Sequence, residues 1–320
     1  TGEFGGVVVQ IASTGALGLN NGGDTITLSD GATQQIAVGY GSEGGDDESL
    51  TRDPDVTGSF VPHSTATGSG GTLFSPGTQI DATQFVGCPA VFGACGDMAT
   101  YVHEVQGPGS ESPLNGWSGI VVEGIVVGDY QDTATQLRGF FLQEEDSDAD
   151  ADPATSEGIF IYDSGFGVDV VPGDVVRVQG DVTEYYGFTE VNHVSNLVVC
   201  STGASASPAV VTLPIPDLAQ WETYEGMLIT IPQTLYATDN YNQGKYGEVR
   251  LSVDGRLAAP TNVASPGPDA LALQDLNDRS LVLMDDGSNV SYPLPLPPYL
   301  GDENTLRAGD TTPGLTGVVA

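Results

Sequence analysis

The residues best suited to chemistry lie close together, in the run Glu144-Glu145-Asp146-Ser147-Asp148-Ala149-Asp150-Ala151-Asp152. Carboxylates repeated along one loop supply the hard oxygen ligands that calcium takes, about six to eight of them. Glu144, Glu145, Asp146, Asp148, Asp150 and Asp152 are therefore the candidate metal ligands, and Ca2+ is the candidate ion. Strict EF-hand order is not met, because Ala151 stands where the sixth-position Gly falls when counting starts at Asp146. The competing reading is a solvated acidic turn, although so many like charges repel one another unless a counter-ion gathers them.

A second chemistry follows from aromatic residues beside scarce positive charge. Lys245, the only lysine, is flanked by Tyr241 and Tyr246, and with Arg250, Arg256, Arg279 and Arg307 it makes up five of the eight basic residues. Tyr185, Tyr186 and Phe188 follow a few residues after Arg177. Single-stranded nucleic acid is held by positive charge with interleaved stacking faces. Arg177, Tyr185, Tyr186, Tyr241, Lys245, Tyr246 and Arg250 are thus the candidate nucleic-acid contacts. The same residues have blander uses, since barrel tyrosines fill cores and rims and arginines among many acids neutralise their neighbours. A carbohydrate face would draw on Trp117 and Trp221, but both stand at strand starts, where a core role is expected. His63, His103 and His193 are each isolated from any Asp-x-Asn or Ser-Asp-His arrangement, and no nucleophile elbow or phosphate loop is present. Structural or surface roles are expected for all three histidines, and the chain as given is expected to have no catalytic residue.

The charge balance limits partners. Forty-three acidic residues against eight basic ones give a formal charge of -35, which repels phosphate backbones and anionic lipids from the surface as a whole. Any polyanion site must be local. Two readings of the excess stand side by side: solubility in a saline habitat such as that of a halophilic or marine bacterium, where screening shortens to about 3 Å near 1 M salt, and cation binding. Three cysteines, Cys88, Cys95 and Cys200, fit no zinc or thioredoxin spacing. One disulfide is expected, either Cys88 with Cys95 or Cys95 with Cys200, and with it an oxidising, extracellular compartment. No apolar run is long enough to span a membrane, and the first residues lack a basic stretch and apolar core.

The scaffold that must position these groups reads as all-β. Forty-four glycines and twenty prolines punctuate short segments. Residues 7–11, 24–28 and 36–38 are short apolar runs between Gly, Asn and Asp turns, as in the hairpins of a sandwich. Residues 117–127, 139–143, 158–162 and 174–182 are rich in β-branched and aromatic residues, with glycines where a strand must bend, as a small Greek-key barrel requires.

Asn20-Asn21-Gly22-Gly23-Asp24-Thr25-Ile26-Thr27-Leu28-Ser29-Asp30, with Ser49-Leu50-Thr51-Arg52-Asp53-Pro54-Asp55, resembles the second half of a lamin-tail domain, an immunoglobulin-like sandwich. That family's first strands are missing, so Thr1 is expected not to be the natural start. Glu104-Val105-Gln106-Gly107, Gly139-Phe140-Phe141-Leu142-Gln143, Thr155-Ser156-Glu157-Gly158-Ile159-Phe160 and Gly173-Asp174-Val175-Val176-Arg177-Val178 resemble the OB-fold domain of secreted bacterial nucleases, in which a DNase-I-like endonuclease/exonuclease/phosphatase domain follows. Tyr241-Asn242-Gln243-Gly244-Lys245-Tyr246-Gly247-Glu248 and Leu306-Arg307-Ala308-Gly309-Asp310 are similar to segments just before that catalytic domain. Gly309-Asp310 and Gly314-Leu315-Thr316-Gly317-Val318-Val319 echo Gly173-Asp174 and Gly180-Asp181-Val182, so a second, diverged OB-like unit is expected.

The expected organisation is a partial lamin-tail-like sandwich at 1–86, a connector at 87–100, an OB-fold domain at 101–203, a Ser/Pro-rich connector at 204–220, and the second OB-like unit at 221–320. The resemblance implies the non-catalytic forepart of an extracellular nuclease, contacting single-stranded or extracellular DNA weakly and binding calcium. A different class also fits the residues: an extracellular adhesive or filament-forming β-module protein with no nucleic-acid role.

Overall fold

The computed structural model describes residues 22–30, 33–42, 48–55, 57–75, 79–81, 92–150, 152–300 and 305–320. They belong to two compact units, Thr1–Val91 and Phe92–Ala320. The chain is all-β; among the described residues the helices are short and stand between strands. No helix among the described residues is long and apolar enough to cross a membrane.

In the first unit, strand β1 (Asp24–Asp30) pairs antiparallel with β2 (Thr33–Tyr40), and β3 (Leu50–Asp53) with β4 (Ser59–Pro62). These two hairpin sheets contain the expected segments 24–28 and 36–38; segment 7–11 lies outside the described residues. His63 is buried behind β4, its Nδ1 2.8 Å from the Thr72 carbonyl oxygen and its Nε2 2.8 Å from the Ser75 hydroxyl. Its role is structural.

The second unit begins with a segment leading into helix α1 (Val102–Gln106). Strands β5 (Ile120–Tyr130), β6 (Gly139–Gln143), β7 (Gly158–Ile161), β8 (Val175–Tyr185) and β9 (Phe188–Ser201) close into a barrel of order β5-β6-β7-β9-β8. All pairs are antiparallel except β7 with β9. Closure requires β5 to serve two partners: its first half pairs with β8 and its second half with β6. Gly124 stands at that changeover, where a Cβ would come within 2.6 Å of the Gln143 carbonyl oxygen. Val122, Phe140, Leu142, Ile159, Ile161 and Val178 fill the interior. Burying a side chain of this kind contributes about 1.5–3 kcal/mol.

The remaining strands are β10 (Ala209–Val210), β11 (Leu228–Asp239), β12 (Val249–Ser252), β13 (Leu281–Met284) and β14 (Thr311–Val318). Helix α2 (Gln243–Tyr246) follows β11, and α3 (Pro268–Arg279) stands between β12 and β13. The sheet runs β10-β11-β12-β13 with β14 on β11. Where the sequence led us to expect a second barrel-like unit, these strands form an open sheet among the described residues.

Barrel and sheet meet closely. A Cβ on Gly158 would lie 2.3 Å from the carbonyl carbon of Gly226, so backbone packs on backbone there. Around this contact Glu225 takes hydrogen bonds from Thr189 N at 2.8 Å and Gln106 Nε2 at 3.4 Å, and its carbonyl accepts from Ser156 Oγ at 2.6 Å. Cys95 and Cys200 are joined as a disulfide, which decides between the two expected pairings; Cys88 lies outside the described residues.

Candidate metal centre

Strand β6 ends at Gln143, and the backbone of the next residue, Glu144, continues the ladder by donating to the Glu157 carbonyl at 3.0 Å. This pairing holds the two ends of the 144–157 loop together and sets the side chains of Glu144 and Glu157 side by side. Helix α1 packs over them. Glu144 is 2% exposed; its Oε1 accepts a short hydrogen bond from Val102 N, and its Oε2 lies 2.8 Å from His103 Nδ1. Glu157 Oε2 lies 3.4 Å from the same nitrogen, and Asp150 Oδ2 is 4.0 Å from Nε2. Tyr101 stacks on the imidazole with 5.1 Å between ring centroids.

One ligand atom from each of His103, Glu144 and Glu157 lies within 4.8 Å of the others. A single ion about 2.0–2.6 Å from each atom can bridge such a set. Burial drives the Glu144 pKa up, to about 10, with the hydrogen bond and charge of Glu157 adding to it. A cation bound here would compensate the buried carboxylate charge that this environment disfavours.

Of the six expected ligands, only Glu144 and Asp150 approach this cluster. Asp146 turns away and accepts from Ser207 N at 2.9 Å and Ser207 Oγ at 2.5 Å, which hold its pKa down. Asp152 caps the turn through Ala154 N at 3.0 Å, and Asp148 accepts from Ser147 Oγ at 3.3 Å. Glu145 is half-buried, and burial raises its pKa.

His103 and Glu157 were not in the expected set. No local pattern marks His103, which comes from a different element. Glu157 had a signal: counted from Asp146 it is twelfth, where a calcium loop places its bidentate Glu, with Asp146, Asp148, Asp150 and Asp152 at the first, third, fifth and seventh positions.

The nucleic-acid candidates are scattered. Arg177 is fully buried and must be withdrawn: its guanidinium donates to the carbonyls of Phe92, Asp97 and Met98 and to Glu123 Oε2, the last at 2.8 Å. Its role is to fasten the 92–98 segment onto β5 and β8. Tyr185 and Tyr186 pack edge to face, 4.7 Å apart, on the β8–β9 turn, and Tyr186 is 96% exposed. Tyr241 is 91% exposed on the turn after β11. Lys245 Nζ lies 4.6 Å from the Tyr246 ring centroid, and Arg250 pairs with Asp239 at 3.1 Å. His193 is an exposed residue 3.3 Å from Asp181. No protein-family model matches the chain, and no curated protein matches it.

Proposed function

We propose that the chain is a cation-braced, non-catalytic binding region of a secreted nuclease, with the ion held at the base of the 144–157 loop. The observation that carries the cation is the convergence of His103, Glu144 and Glu157 from α1 and the ends of β6 and β7. An ion there would tie α1 to the barrel. The imidazole nitrogen with carboxylates suits Zn2+ or Mn2+, whereas the spacing from Asp146 to Glu157 suits Ca2+. Glu157 belongs to both sets.

The nuclease assignment rests on the sequence resemblance and is supported by the barrel. Five strands closing with one parallel pair fit the OB type, which holds oligonucleotides or oligosaccharides. The Cys95–Cys200 pair supports an oxidising, extracellular setting. With Arg177 buried, weak contact with single-stranded DNA falls to Tyr185, Tyr186, Tyr241, Lys245 and Tyr246.

Fluorescence anisotropy with a short single-stranded DNA tests that contact. The reading expects binding that weakens as salt rises and is lost in a Lys245→Ala, Tyr246→Ala double variant. Absence of binding at any salt would leave the second reading, an extracellular adhesive β-module, which is favoured by the use of Arg177 and Arg250 in internal pairs.

A further inference from the structure

The rings of Tyr130, Phe141, Phe160 and Phe188 pack as one cluster on the barrel. That cluster is closed to a ligand. Phe141 and Phe160 are buried, and a Cβ on Gly128 would lie 3.2 Å from Val318 Cγ2 and 3.5 Å from the Phe141 ring, so β14 stands against this face. Leu228 N holds the contact by donating to Gln143 Oε1 at 2.9 Å. A site for a planar ring has to be sought elsewhere, and the surface around α2 supplies one.

Gln243 and Gly244 of α2, with Tyr292, Leu294, Leu296, Leu300 and two prolines, line an open cavity of about 320 Å3. Every lining side chain is uncharged, in a chain with 43 acidic residues. Leu294 is 86% exposed and Tyr292 68%, so apolar surface continues from the wall to the rim. Contiguous exposed apolar surface of this kind marks interaction sites. Tyr292 takes a φ of 59°, a left-handed value that costs a tyrosine strain, and its N–H donates to the Lys245 carbonyl at 2.7 Å. That bond ties the only lysine of the sequence to the cavity wall. The neighbouring acids are engaged: Asp239 pairs with Arg250 at 3.1 Å, and Glu248 Oε2 accepts from Asn242 Nδ2 at 2.7 Å. Gln243 Nε2 is buried and has no acceptor among the described residues.

These features specify an occupant. The volume stands at the small end of ligand sites, which run from about 300 to 1,000 Å3, and takes one ring system rather than a helix. Uncharged apolar walls suit a flat, neutral body; the unspent amide donor asks for a carbonyl or ring nitrogen; the lysine beside the wall suits an anionic group. A nucleotide joins all three. We propose that this cavity takes a single unpaired nucleobase, with Gln243 donating to the base and Lys245 meeting the adjoining phosphate. The inference rests on the single-stranded-DNA reading above and names the part of the strand that is held; it is independent of the cation site.

The test uses the full chain and compares a labelled oligothymidylate with a strand of the same length lacking its bases, by fluorescence anisotropy at low salt; NMR reads the Gln243 side-chain amide with thymidine monophosphate. The parent chain should bind the oligothymidylate about tenfold tighter or more, as expected for one stacked base. Gly244→Leu fills the cavity at a position where a Cβ meets nothing within 4 Å, and should erase that difference while the melting temperature and the binding of the base-free strand stay unchanged. Gln243→Leu should reduce it. Thymidine monophosphate should shift the Gln243 amide in the parent chain and not in Gly244→Leu. Equal affinity for the two strands, or full oligothymidylate affinity in Gly244→Leu, would overturn the base site and leave a phosphate contact at Lys245 standing. A shift with the mononucleotide but no binding of either strand would support the base site and overturn the DNA reading. No shift and no binding would overturn both.

Discussion

His103 Nδ1 lies 2.8 Å from Oε2 of Glu144, although 41 residues separate the two in sequence. The contact exists because α1 is laid across the ends of β6 and β7, and it joins the lead-in of the barrel to the base of the acidic loop. A buried carboxyl facing a second carboxyl and an imidazole is a costly arrangement unless a proton or a cation neutralises it.

Arg177 anchors the lead-in segment, so its loss should be felt as stability. Arg177→Met leaves Glu123 and the carbonyls of Phe92, Asp97 and Met98 without their donor. The expected cost is about 3–5 kcal/mol in urea unfolding, as for breaking a buried ion pair. DNA affinity per folded molecule should stay unchanged; a selective loss of affinity with full stability would restore Arg177 to the binding face.

The Cys95–Cys200 bond encloses 105 residues of separation and pins the same segment. A Cys95→Ser, Cys200→Ser double variant should lose roughly 4–5 kcal/mol by the chain-entropy argument. Thermal unfolding of this variant beside the parent chain measures it, and an unchanged midpoint would mean that Arg177 alone secures the lead-in.

Glu225 links the pH response to the barrel–sheet junction. Burial pushes its pKa up to about 7, and the nearby Glu222 and Glu184 charges add to the shift, against the hydrogen bonds from Thr189 N and Gln106. The folded chain therefore holds this proton more tightly than the unfolded one, which releases it near pH 4.5. Its contribution is fully present below about pH 4.5 and is lost as pH rises through 7. Glu225→Gln should flatten the fall in unfolding free energy between pH 5 and 7.5, read by denaturant titration at each pH. A slope identical to that of the parent chain would show that Glu225 does not carry it.

Much of the barrel was legible in the sequence. β6 matches the expected 139–143 run, and β5, β7 and β8 overlap their expected runs, because β-branched and aromatic residues bounded by glycine leave few alternatives. β9 was harder to see: Asn192, His193, Ser195 and Asn196 interrupt its alternation, and its place is set by pairing with β8. The burial of Arg177 was not legible, because the carbonyls that hold it come from residues 92–98, about eighty positions earlier. Nor was His103, whose partners are assembled only when α1 closes over the loop. The acidic run itself was plain, but its spacing does not reveal which carboxylates leave for other partners, as Asp146 does for Ser207 and Asp152 for Ala154 N.

Isothermal calorimetry with Zn2+, Mn2+ and Ca2+ in turn, on the parent chain and on Glu157→Gln, His103→Ala and Asp148→Asn variants, tests the cation site most directly. Saturable heat and a raised melting temperature are expected for at least one ion on the parent chain, with both lost in Glu157→Gln. Loss in His103→Ala but not Asp148→Asn would assign the imidazole site to Zn2+ or Mn2+, and the reverse would assign the loop to Ca2+. No heat and no gain in melting temperature with any of the three ions would contradict the account.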